Sequence, residues 1–182
     1  MPAAEGPAEG PEANEDVRIV GYDATWPLKF EAERAALEEC IGPWVTGGIH
    51  HVGSTSVPGL PAKPIVDILV GVGGLGQSRP CIEKVATLSY LYWPYRTDVM
   101  HWFCKPGPVH RTHHLHLVPT GSRRYQDELA FRDALRGDRA LTRRYAALKQ
   151  DLASRFRHDR EAYTEHKAPF IHEVLAIARD PG

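Results

Sequence analysis

The sequence predicts an α/β protein, with strands and helices interleaved over its first two thirds and helices alone thereafter. Three observations carry that prediction. Ile65-Val66-Asp67-Ile68-Leu69-Val70 is apolar on both faces, as in a strand covered on both sides. Ile82, Val85 and Leu88 recur at helical spacing after it and before the strand-like runs Tyr90–Tyr95 and Val99–Cys104, which places a helix between strands. From Tyr125 onward the apolar residues recur three and four apart, with Phe131 and Leu135 followed by Tyr145, Leu148, Leu152 and Phe156.

Taken in order, residues 1–16 hold Ala, Glu, Gly and Pro without an aromatic residue, a composition that predicts an unfolded tail. One folded domain is expected over 17–182, since 182 residues suffice for a single core. It opens with Val17–Val20 as a short strand or extended arm. A helix follows, with Pro27 in its first turn, Glu31 and Glu33 at its positive end, Trp26 packed at its start and Gly42-Pro43 as its stop. Ile49–Val52 reads as a short strand and Ile65–Val72 as the strongest one. Gly71–Gly76 turns the chain, and Cys81–Leu88 fits a helix. Lys105-Pro106-Gly107-Pro108 reads as a turn, and His114–Val118 alternates with period two, so His114 and His116 share a face. Phe131-Arg132-Asp133 is taken to open a helix, Asp159 to cap another, and Pro169 to mark a break or a fresh first turn.

Composition narrows the function. A net charge of −1 gives no steering toward nucleic acid. The three cysteines form no CxxC pair, which argues for buried free thiols over a disulfide framework or zinc knuckle. No apolar run approaches a membrane span and no basic-then-apolar leader opens the chain, so a cytoplasmic protein with a small-molecule substrate is expected. The sequence lacks GxxxxGK[ST], GxSxG and HExxH, and Gly71–Gly76 reads as a plain turn before it reads as a dinucleotide loop.

The chemistry concentrates in two places. His51-Val52-Gly53-Ser54-Thr55-Ser56 is a small-residue loop whose backbone N–H groups near Gly53 can approach a phosphate, with Ser54 and Thr55 adding hydroxyl donors. Asp67 stands in the apolar strand just beyond it, and a carboxylate there needs a partner, with Lys63 nearby. Four of the ten histidines lie within His110–His116; His114 and His116 can aim two imidazoles at one metal, phosphate or proton, whereas His110 and His113 fall in the loop. A metal or catalytic pair, an anion site and a hydrogen-bonded structural pair all fit that spacing. His50 and His51 are expected to face the same pocket. Arg111, Arg123, Arg124 and Arg132 add cations, Arg132 being placed for a bidentate partner, and Lys167 sits before the break at Pro169.

With these residues assembled, the sequence resembles the GrpB family, a group similar in fold to the nucleotidyltransferases. The resemblance rests on Gly21–Pro27 with Phe30, His51–Leu60, Lys63–Ile68, His114–Val118, Phe131-Arg132-Asp133, Tyr145–Lys149, and Tyr163-Thr164-Glu165 with Lys167. It implies a nucleotidyltransferase-like mixed β-sheet flanked by helices, with C-terminal helices, in which Gly53-Ser54 opens a helix beside Asp67. In nucleotidyltransferases that strand carries a second carboxylate two residues on, where this chain has Leu69. His50 stands where the family has Glu, and Ser89 where it has Gly, a change expected to be structural.

Three functions follow. In the first, a nucleotidyl or phosphoryl group passes from ATP or another nucleoside triphosphate to a small metabolite. Gly53, Ser54, Thr55, His50, His51, Arg111, Arg132, Tyr163 and Lys167 would bind substrate and phosphate, and Asp67, His114, His116 and Lys63 would be catalytic. Asp67 and His116 would also hold Mg²⁺ or another divalent metal. In the second, the same pocket runs metal-independent acid/base chemistry on a small carboxylated metabolite. In the third, it binds a nucleotide or coenzyme A without catalysis.

Overall fold

A sixteen-residue helix, α1 (Trp26–Ile41), buries Trp26, Phe30, Leu37 and Ile41, and those positions recur at the spacing that makes one apolar stripe. They lie on one face of a five-stranded sheet. Its strands are β1 (Val45–Val52), β2 (Val66–Val72), β3 (Leu91–Trp93), β4 (His101–Pro106) and β5 (Arg111–Pro119), in spatial order β1-β2-β5-β4-β3. The structure is a computed structural model that describes residues 16–179. The tail expected over 1–16 therefore lies almost wholly outside the described residues.

The sheet is mixed, because β2 and β5 run parallel while β1–β2, β4–β5 and β3–β4 are antiparallel. A parallel pair needs a long crossover, and here the connection contains α2 (Cys81–Ala86), β3 and β4. Val66, Ile68, Val70 and Val72 alternate toward α1 and α2, where they meet Cys81, Val85, Phe103, Leu115 and Leu117. On the other face Leu69, Val52, Met100, Trp102, Cys104 and Val118 pack with Tyr125 from α3 (Arg123–Gly137). Three more helices complete the chain: α4 (Arg139–Arg155), α5 (Arg160–Glu165) and α6 (Ala168–Arg179). Tyr145 and Leu135 from this group pack on Val57 and Leu60 of the β1–β2 connection.

Several boundaries differ from expectation for local reasons. Val17–Val20 is an extended arm that pairs as an isolated bridge, Val20 with Ala62, and whose Val17 N–H donates to the Arg157 carbonyl; it forms no strand. β1 starts four residues earlier than expected because an irregularity between Val45 and Gly48 hid its alternation. Glu31 and Glu33 are not in the first turn of α1: Glu31 pairs with Arg34, and Glu33 reaches across to Lys105 and Tyr90. Lys105 and Pro106 end β4 and the turn comes after them. Phe131-Arg132-Asp133 lies inside α3, whose true cap is the Ser122 hydroxyl accepting from the Tyr125 N–H. Asp159 caps α5 as its type suggests, and Pro169 falls in the first turn of α6. Cys81 and Cys104 are buried free thiols, while Cys40 is half-buried.

Ser89, where the family resemblance implies Gly, holds φ at 66°. That left-handed backbone favours glycine. Ser89→Gly is expected to stabilise the fold by about 0.5–1 kcal/mol, and a melting curve no higher than wild type would count against it.

Lys149 on α4 is 2% exposed. Its ammonium donates to the Pro61 carbonyl at 2.5 Å and lies 4.9 Å from the Tyr145 ring centre. Burial, followed by the nearby Lys167 charge, lowers it from 10.5 to about 7. Between those values the unfolded chain holds a proton that the folded chain has released, so this group makes wild-type stability rise with pH across the window. Lys149→Met cannot contribute that rise. Its stability relative to wild type, from urea unfolding at pH 6.5 and 9.5, is expected to fall by on the order of a few kcal/mol; a constant difference would contradict this.

Candidate active site

The parallel register of β2 and β5 sets Asp67 opposite His114 and Leu69 opposite His116. Residues two apart on a strand share a face, so Asp67, His114 and His116 converge on the sheet face away from α1. His114 Nδ1 donates to Asp67 Oδ1 at 3.0 Å. One ligand atom from each of the three side chains lies within 4.8 Å of the other two. The imidazoles stand 6.4 Å apart and nearly parallel, with Trp102 5.1 Å from His114. His116 turns Nδ1 toward Glu128 of α3, 3.7 Å away, and Glu128 in turn pairs with Arg124 at 2.7 Å.

The charge states follow from these contacts. Burial works to raise the Asp67 carboxyl, but the hydrogen bond from His114 and the His114 and Lys63 charges outweigh it and hold the group at about 2. Burial pushes His114 down to about 4, against the pull of Asp67. At neutral pH the pair is thus a carboxylate accepting from a neutral imidazole. That fixes the proton on Nδ1 and leaves a lone pair on His114 Nε2. Both His114 Nε2 and His116 Nε2 are buried and have no hydrogen-bond partner among the described residues.

Around this cluster the cations outnumber the carboxylates. Lys63 and Lys167 place their ammonium groups 5.3 and 4.6 Å from the centre of the Tyr163 ring. Neither is hydrogen-bonded to a described residue. Burial, reinforced by Lys167, Arg160 and Arg111, lowers Lys63 to about 7, and burial lowers Lys167 to about 8. Arg111 stacks its guanidinium 5.4 Å over Trp102. With Asp67 and Glu128 as the nearby carboxylates, this excess of positive charge favours an anionic ligand.

The β1–β2 connection supplies the other wall. Gly53 has φ 70° and ψ −174°, and a Cβ built on it would fall 2.4 Å from Asp67 Oδ2. Any side chain at position 53 would thus collide with the carboxylate. Ser54 faces the Tyr145 hydroxyl across the same wall. The helix expected to open at Gly53-Ser54 is a single 3-10 turn, Ser54–Ser56.

Several expected pocket residues lie elsewhere. Thr55 is buried, bonded to His51 Nε2 and the Ile65 carbonyl, and its hydroxyl holds the loop together. His51 projects to the α1 face and stacks on Phe30 at 4.9 Å, with burial lowering it to about 4. His50, one residue away, is on the face that carries Asp67 and His116, opposite Leu69, where the Gly47 carbonyl and the Tyr125 hydroxyl hold its Nε2. Adjacent strand residues cannot share a pocket, and that rule was available from the sequence once both were placed on a strand. Arg132 is tied to Asp133 and the His51 carbonyl at the end of β1. His113 lies within β5, on the face opposite His114, and is not in the loop. Conversely Glu128, Arg160 and Lys149 join the neighbourhood without having been foreseen. Each sits on a helix where charged residues abound, and no spacing distinguishes the inward ones.

Fold and site together define a mixed-sheet α/β protein with one carboxylate–imidazole cluster on a sheet face, enclosed by C-terminal helices and ringed by cations. Residues 16–176 match the family described as GrpB protein, and the chain belongs to the GrpB family. It is 36% identical over 168 residues to a UPF0157 protein of Pseudomonas aeruginosa, a match covering 89% of this chain and 67% of that one. It is 31% identical over 165 residues to the glutamate-rich protein GrpB of Alkalihalophilus pseudofirmus, covering 88% and 94%. The crystal structure of the conserved protein GrpB from Enterococcus faecalis superimposes with a TM-score of 0.80 at 31% identity, over 88% of this chain and 96% of that chain. No helix among the described residues is long and apolar enough to cross a membrane.

Proposed function

We propose that this chain is a cytoplasmic enzyme that transfers a nucleotidyl or phosphoryl group from a nucleoside triphosphate to a small acceptor. The observation that carries the reading is the Asp67–His114–His116 cluster, with its unpartnered buried nitrogens, set among Lys63, Lys167, Arg111 and Arg160. Lys167, Arg111 and Arg160 would hold the phosphates, with the Ser54 hydroxyl as a further donor. The acceptor hydroxyl or amine attacks phosphorus and its proton passes to the neutral amine of Lys63. The bridging P–O bond breaks, and pyrophosphate or a nucleoside diphosphate leaves with its charge met by the remaining cations.

The nucleotidyltransferase resemblance implies two Mg²⁺ ions, and the residues do not fit that pair. Leu69, at the position of the second carboxylate, is fully buried in an apolar cluster. A single divalent ion does fit, held by Asp67, His114 and His116, and when bound it would supply positive charge at the reacting phosphoryl group.

A thermal-shift titration with ATP, CTP, GTP, UTP and coenzyme A, with and without divalent metal, tests the reading. A ligand at a hundred times its Kd stabilises by about 2.7 kcal/mol, and Lys167→Ala should weaken a triphosphate by about tenfold to a hundredfold. Phosphorus NMR would then follow release of pyrophosphate or diphosphate with candidate acceptors. No shift with any triphosphate sinks the proposal. A shift with coenzyme A alone favours a binding module. A shift with small carboxylic acids alone favours metal-independent acid/base chemistry, for which the Asp67–His114 hydrogen bond is equally suited.

A further inference from the structure

We propose that Asp67, His114 and His116 form a site for one divalent transition ion of the zinc class, and that Glu128 positions His116 within it. The inference deepens the transferase reading by naming its metal, and it stands or falls on measurements that need no turnover.

Three observations on separate elements converge. The ligand atoms are already gathered: one oxygen and two imidazole nitrogens lie within 4.8 Å of one another, from two strands held in register by backbone pairing. His116 presents two buried ring nitrogens with no hydrogen-bond partner among the described residues, a costly state for polar atoms that have nothing to bind. His116 also turns Nδ1 toward a carboxylate outside the ligand set, Glu128 at 3.7 Å. Carboxylates behind the distal nitrogen are the usual outer support of metal-bound histidine, since they fix the tautomer and raise the basicity of the ligating nitrogen. Asp67 Oδ1 and the His114 nitrogen 3.0 Å from it would be neighbouring ligands of one ion, the imidazole proton then residing on Nε2.

Donor chemistry selects the ion. Mg²⁺ prefers an octahedron of oxygens and retains its waters, and two of three donors here are nitrogen. Imidazole suits zinc, cobalt and iron, and two histidines with one carboxylate leave at least one coordination position for a substrate oxygen or water. Leu69, Trp102 and Cys104 line the same face, and this apolar surround opposes a fully hydrated ion.

The test uses the untagged full-length chain freed of metal by chelation. Calorimetry is expected to show one equivalent of Zn²⁺ bound, cobalt to give a visible d–d absorption band, and millimolar Mg²⁺ to leave both unchanged. His114→Gln and His116→Gln should each lose about a hundredfold or more in zinc affinity. Glu128→Gln should lose about tenfold to a hundredfold with the stoichiometry kept at one. His158→Ala, which changes an exposed histidine, should be silent. X-ray absorption of the zinc-loaded wild type should report two imidazole nitrogens, which keeps the test decisive even where a variant fails to fold. An all-oxygen shell, Mg²⁺ competing at the concentration of Zn²⁺, or zinc binding that survives both histidine changes would overturn the proposal. Zinc binding without any response to triphosphates would leave this site standing and remove the transferase reading. Stabilisation by triphosphate with Mg²⁺, without zinc binding, would do the reverse.

Discussion

Gly53→Ala is expected to lower the stability of the fold by about 3–5 kcal/mol and to dismantle the site in whatever fraction stays folded. Two costs combine. The backbone at Gly53, φ 70° and ψ −174°, lies in a region that is essentially glycine's alone, worth about 1–3 kcal/mol to any other residue. The new methyl would also stand 2.4 Å from Asp67 Oδ2 and 3.1 Å from its Cβ and Cγ, so the carboxylate must swing away from His114. Gly59 provides the control that separates the two. Its φ is 80°, and a Cβ there meets nothing within 4 Å, so Gly59→Ala carries the conformational cost without the collision. In a domain of this size each kcal/mol moves the midpoint by about 2–4 °C. Gly53→Ala should therefore melt roughly 10 °C below wild type, and Gly59→Ala only a few degrees below. Equal shifts would show that Asp67 does not press on the loop.

Asp67→Asn separates chemistry from binding. Asparagine keeps the shape and can still accept from His114, but it removes the one carboxylate that Lys63, Lys167 and the His114 imidazole surround. Turnover of the proposed transfer should fall at least about a thousandfold, roughly 4 kcal/mol of lost transition-state stabilisation. Anion affinity should move the other way. With less negative charge in the pocket, pyrophosphate measured by calorimetry should bind as tightly as to wild type or tighter. Turnover within tenfold of wild type would exclude a chemical role for Asp67, and a parallel loss of pyrophosphate binding would mean that the substitution had disturbed the pocket as a whole.

The parts of the fold legible from sequence were those with one dominant period. The apolar run of β2 and the alternation of His114-Leu115-His116-Leu117 each admit one reading, and each appears at its place. β1 was legible only over Ile49–Val52, because Gly47 and Gly48 interrupt the alternation of its first half at an irregular pairing. The candidate site shows the same division. Asp67, His114 and His116 were conspicuous as polar residues in apolar strands. Glu128 and Arg160 were invisible because a charged residue on an amphipathic helix looks alike whether it faces solvent or a pocket. His50 and His51 misled by proximity: the chain brings them side by side, and the pleat then turns them to opposite faces.

The pairing of Asp67 with His114 joins residues 47 positions apart along the chain, and nothing local holds them together. A slip of β5 by one residue against β2 would present His113 or Leu115 to Asp67 and turn both useful imidazoles toward α1. Parallel strands close late, after the intervening helix and hairpin have formed and the entropy of a long loop has been overcome. The candidate site therefore exists only once β2 and β5 are paired in this register. During refolding, the return of site function would time the docking of the two central strands, and any partly folded form lacking β5 would carry every residue of the site and none of its arrangement.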